Sequence, residues 1–211
     1  MNFSNESRLG QILEKVLDLC KMNLLWLLGC LPIVTAGAST TALFYTANCY
    51  RQGEGSVAKN FWNGFKNNFF QATVIWLLIL LAMTGALASA VILMGFPEVI
   101  QKFGLGILAA ILVLLLIFTS MVFPLLSRNR WKLATLASDS LLFAIAFLPK
   151  TLKVLGVELL PIALLLLLPR GLLFIMLLWG ILGVAWQAYV ICGIWDSAFA
   201  MWIHRDNDPK R

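Results

Sequence analysis

Thr35, Ser39, Thr40 and Thr41 fall within the run Leu31-Pro32-Ile33-Val34-Thr35-Ala36-Gly37-Ala38-Ser39-Thr40-Thr41, in the middle of a hydrophobic stretch that begins at Asn23 and ends near Tyr50. Proline removes a backbone donor and interrupts a helix. In an apolar solvent an interrupted helix exposes half-helix ends and carbonyls that can hold a substrate or ion, and the four hydroxyls would add ligands. The competing reading is that Ala36, Gly37 and Ala38 allow close packing while the hydroxyls bond back to their own helical turn. Glu158 lies three residues before Pro161 in another apolar stretch. A carboxylate there is costly enough to suggest a proton or cation relay, unless Lys153 or Arg170 pairs with it near an interface or burial keeps it neutral. Gln187, between Trp186 and Tyr189, reads either as a sixth polar ligand or as glue between helices.

Which chemistry is open to these residues depends on the solvent. The chain has 211 residues, 61% hydrophobic and 12% charged, against roughly 25% charged in soluble domains. Its long uncharged runs approach the roughly 20 residues that cross a bilayer as helix. They are continuous, not alternating, so helices are expected and not a barrel. The expected fold is all-α: one polytopic membrane domain, 1–211, with about five hydrophobic segments and several amphipathic surface helices.

The segments follow from hydropathy and helical spacing. Leu9, Ile12, Leu13, Val16, Leu17 and Cys20 share one face, with Arg8, Glu14, Lys15 and Asp18 elsewhere, so residues 1–22 read as an interfacial amphipathic helix. A signal-peptide core at 22–34 is the weaker alternative, since the segment before it is long, acidic in part and itself patterned as helix. The broken segment spans 23–50. Phe61, Trp62, Phe65, Phe69 and Phe70 mark a second interfacial helix, 57–70, opposite Asn60, Asn63, Lys66 and Asn67. Spans are expected at 72–94, 104–126, 151–168 and 172–199, a third interfacial helix at 133–148, and a polar tail at 200–211. Surface helix followed by hydrophobic segment thus recurs three times, a faint internal repeat. Gly85, Ala86, Ser89 and Ala90, and Gly180 with Gly183, read as packing faces. Trp26, Trp62, Trp76, Trp131 and Trp202 fall near segment boundaries, as an aromatic belt would.

Basic residues set the orientation. If 23–50 re-enters, fourteen lie on one side and two, Lys102 and Arg170, on the other; if it crosses, the ratio is eleven to five. Both place the C-terminus in the cytoplasm, with Asp196 near that interface. Re-entry is the preferred reading.

Several classes are excluded. The +6 net charge is spread over segment ends, where anionic lipid accounts for it and nucleic acid does not. Cys20, Cys30, Cys49 and Cys192 form no CxxC pair, and His204 is the only histidine, so neither a zinc site nor a disulfide framework is expected. There is no Gly-rich phosphate loop, no nucleophile beside a histidine and no carboxylate pair in one hydrophobic segment. No enzyme, catalytic residue, metal or cofactor is expected.

The runs Asn23-Leu24-Leu25-Trp26-Leu27-Leu28 and Leu31-Pro32-Ile33-Val34-Thr35-Ala36-Gly37-Ala38-Ser39-Thr40-Thr41-Ala42-Leu43 resemble the YesL-like family of bacterial membrane proteins. Phe65-Lys66-Asn67-Asn68-Phe69-Phe70-Gln71-Ala72-Thr73 and Leu148-Pro149-Lys150-Thr151 are similar to its other recurring stretches. The family is one of unknown function, so the resemblance implies no activity and no catalytic residues. Its members often neighbour carbohydrate uptake and sensing systems. This implies an accessory protein of the bacterial cell membrane whose partner is a carbohydrate importer or sensor kinase, or a second copy of itself. The alternative is a small-solute transporter or channel that uses the broken segment and Glu158.

Overall fold

The computed structural model describes residues 3–128, 133–168 and 171–206, and among these the chain is helix and turn with no strand. Among the described residues three helices are long and apolar enough to cross a membrane: Val57–Leu93, Glu98–Arg128 and Leu172–Met201. The all-α architecture expected from the sequence is therefore present. The 151–168 segment is not among these three helices, and its helix carries Lys150, Lys153 and Glu158.

The first helix, α1 (Phe3–Cys30), joins the expected surface helix and the start of the broken segment without interruption. No proline lies between them to stop it. The break comes at Leu31-Pro32, because the residue before a proline is pushed out of the helical region. A single 3₁₀ turn (Ile33–Thr35) leads into α2 (Ala36–Arg51), which packs back on α1 as a hairpin. Gly53 and Gly55, at φ of 72° and 64°, make the next turn. Then α3 (Val57–Leu93) runs for 37 residues through both the expected surface helix 57–70 and the span 72–94. It pairs with α4 (Glu98–Arg128). The third surface-helix-and-segment unit is divided at Phe147 into α5 (Leu133–Ala146) and α6 (Leu148–Leu167), whose Pro149 sits in the first turn where a missing N–H costs nothing. The final path is α7 (Leu172–Leu178), a π-helical turn (Trp179–Gly183) and α8 (Val184–Asp206).

α2 is the centre of the molecule, packed by α1, α3, α4 and α8. Ala38, Ala42, Leu43 and Ala47 are at most 1% exposed. Its small residues let neighbours approach from all sides. A Cβ on Gly37 would lie 2.5 Å from Trp76 Cβ and 2.6 Å from the Ala72 carbonyl, and one on Gly64 would meet Tyr45 at 2.9 Å, so α2 and α3 touch backbone to backbone. The packing face expected around Gly85 is not used in this way. Gly85 and Ser89 are exposed, Ala86 and Ala90 are half-buried, and a Cβ on Gly85 meets nothing within 4 Å. Outward, α4 and α7 present rows of exposed leucine, isoleucine and phenylalanine, including Ile111, Leu114, Leu173 and Phe174. That surface suits lipid and not water.

Candidate functional site

The break between α1 and α2 consumes its own polar groups. Thr35 Oγ1 donates to the carbonyls of Gly29 (2.7 Å) and Pro32 (2.9 Å), and Ser39 Oγ donates to the Trp26 carbonyl at 2.7 Å. Two of the four hydroxyls thereby serve carbonyls in the last turns of α1, and that of Gly29 is among the last four, where intrahelical donors run out. Thr40 and Thr41 donate back to Ala36 (2.8 Å) and Gly37 (3.0 Å) in their own helix. The indole of Trp26 donates to Thr40 Oγ1 (3.2 Å), and that of Trp76 donates to the Ile33 carbonyl (2.8 Å). These two tryptophans tie the break together, while Trp62 is exposed. Trp131, Arg170 and the Trp202 side chain lie outside the described residues.

A second polar node joins α1 to the last helix. The π-turn at Trp179–Gly183 interrupts the regular i to i−4 pairing, and fully buried Asn23 supplies the missing partners. Its Oδ1 accepts the Ala185 N–H at 2.9 Å, and its Nδ2 donates to the Gly180 carbonyl. Gly183 is needed here, since a Cβ would lie 2.5 Å from the Trp179 ring. The Trp179 indole donates to Gln187 Oε1 (3.2 Å), and Gln187 Nε2 donates to the Val157 carbonyl of α6 (2.7 Å). Val157 is four residues before Pro161, which has no N–H to give it, so Gln187 fills a vacancy that the proline creates.

Of the six residues singled out in the sequence, the fold brings Thr40, Glu158 and Gln187 to one cavity of about 260 Å³ between α2, α3, α4, α6 and α8. Phe44, Trp76, Thr119 and Phe123 also line it. Thr35 lines a separate apolar groove against Phe61, Trp62 and Phe65, and Ser39 and Thr41 are fully buried without reaching either space. Glu158 sits near the middle of α6. Among the described residues neither it nor Lys153 forms a hydrogen bond or ion pair. No group of three or more His, Cys, Asp or Glu side chains suited to a metal occurs among them either.

At the far end of α2, Asp196 of α8 accepts from two arginines. Arg51 Nε and Nη2 reach Oδ2 at 3.1 and 3.0 Å, and Arg128 Nη2 reaches Oδ1 at 2.5 Å. The guanidinium of Arg51 lies over Tyr189 and that of Arg128 over Phe199. A Cβ on Gly193 would touch Arg51 at 2.9 Å. The C-terminal ends of α2 and α4 are thus clamped to the middle of α8, and Lys150 of α6 adds a 2.7 Å bond to Ser197.

Sequence reasoning missed Asn23, Arg51 and Arg128 as structural residues. A lone amide in an apolar run was the available signal for Asn23. The arginines read only as loop charge.

A helical membrane protein with its polar side chains turned inward is the class that fold and site define. The family model described as "Protein of unknown function, DUF624" matches residues 19–90. The chain is 32% identical over 167 residues to "Uncharacterized protein YteU" of Bacillus subtilis (strain 168), covering 72% of each. No solved structure matches it. The chain belongs to this YesL-like family of unknown function.

Proposed function

We propose that the protein is an accessory component of the bacterial cell membrane, multi-pass with its C-terminus in the cytoplasm, that holds a membrane partner belonging to a carbohydrate uptake or sensing system. One observation carries the reading. Leu13, Leu17, Cys20, Leu24 and Leu27 of α1 follow one another at spacings of four, three, four and three. That is the seam by which one helix packs along another. Its leucines are 41% to 61% exposed, so the chain's own helices leave the seam uncovered.

The α1–α2 hairpin fits a re-entrant element on the cytoplasmic side. α2 has 16 residues, a length of about 24 Å at 1.5 Å per residue, short of the roughly 30 Å of hydrocarbon. Its tip meets α3 at Trp76, about halfway along that helix. The small-solute alternative retains Glu158, but the hydroxyls it called on already donate to backbone carbonyls. The link to carbohydrate uptake rests on the family's association alone.

The test is crosslinking of a tagged full-length copy in native membranes, then purification and mass spectrometry. An importer subunit or sensor kinase in near-stoichiometric yield is expected. Recovery of self-crosslinked species alone would overturn the partner and point to a homo-oligomer.

A further inference from the structure

Among the described residues, Glu158 takes part in none of the hydrogen bonds or ion pairs that hold the helices around its cavity together. The cavity's other polar groups are engaged: Thr40 and Thr119 donate to the carbonyls of Ala36 and Leu116, and both ends of the Gln187 amide are bonded. One carboxyl group remains, among Phe44, Trp76 and Phe123. A calcium or magnesium ion needs six or more oxygen ligands, and this lining offers two from a single side chain. A sugar presents several hydroxyls at once, with only Glu158 free to answer them. A cationic nitrogen on a short hydrocarbon suits the lining, because the carboxylate meets its charge and aromatic faces attract cations and apolar groups alike. The cavity, at about 260 Å³, lies just below the roughly 300–1,000 Å³ of sites for drug-sized molecules. Its ligand is therefore small.

We propose that this cavity is a binding site for a small organic ammonium ion, its charge paired with Glu158 and its hydrocarbon against Phe44, Trp76 and Phe123. The site does not rest on the partner-holding role. The full-length protein in nanodiscs of neutral phosphatidylcholine is titrated calorimetrically with n-butylammonium, against empty nanodiscs. Saturable binding is expected, with n-butanol at least tenfold weaker and tetrabutylammonium excluded by size. Glu158→Gln, which keeps the shape and removes the charge, is expected to weaken n-butylammonium at least tenfold. Equal binding of n-butanol and n-butylammonium would overturn the proposal, as would undiminished binding by Glu158→Gln or no binding down to millimolar affinity. The amine-to-alcohol comparison uses only the wild-type protein, so it decides the matter even if the variant does not fold.

Discussion

Asn23 stands in for a piece of missing helix. The π-turn leaves the Ala185 N–H and the Gly180 carbonyl without regular partners, and one side-chain amide meets both. Asn23→Leu keeps the size and strands two buried groups, so it is expected to cost about 1–3 kcal/mol, read as a lower unfolding midpoint in detergent. Gln187 has the same relation to Pro161. In a double-mutant cycle, Gln187→Leu should destabilise the wild type by about 1 kcal/mol, on the scale of hydrogen bonds between membrane helices. In a Pro161→Ala background it should cost clearly less, because residue 161 then supplies its own N–H to the Val157 carbonyl. Equal costs in the two backgrounds would show that Gln187 does not serve that carbonyl. Glu158 and Gln187 were legible in the sequence as polar residues in apolar surroundings. Their relations were not, since Gln187 bonds a residue 30 positions away and Asn23 one 162 positions away. Nor does the hydrophobic pattern around Gly180 and Gly183 mark an inserted π-turn.

Among the elements, the break at Pro32 was readable because its cause is local. The continuity of α1 and α3 was not. A surface helix and a span share one backbone conformation, and a change in which faces are polar at residue 71 leaves no mark on the hydrogen-bond ladder. Glycines were hard to rank for a related reason: a small residue shows that an approach is possible and not what approaches. Gly85 looked like a packing position and is open, whereas Gly37 holds α2 against α3. Gly37→Ala is therefore expected to destabilise by about 1–3 kcal/mol through overpacking. Gly85→Ala should stabilise by roughly 0.5–1 kcal/mol through helix propensity alone. Thermal melts of the two purified variants beside wild type decide the comparison, and a loss from Gly85→Ala matching that from Gly37→Ala would contradict the packing described.

On the scale of the whole molecule, polar side chains close the interior and leave apolar faces outside. Thr35 and Ser39, both tryptophan indoles at the break, Asn23 and Gln187 fasten helices to one another, and Asp196 gathers Arg51 and Arg128 at one end. The outer faces then divide. Those of α4 and α7 are broadly apolar, as a lipid-facing surface is, and that of α1 carries the row Leu13, Leu17, Leu24 and Leu27 against which the proposed partner helix would pack. Photocrosslinkers placed at Leu17 and Leu24 on α1 and at Ile111 and Leu114 on α4, positions 51% to 58% exposed, compare these two faces in native membranes. A discrete protein adduct from the α1 positions and none from the α4 positions is the result expected of a protein that holds a partner through α1. Lipid adducts alone from all four positions would contradict it.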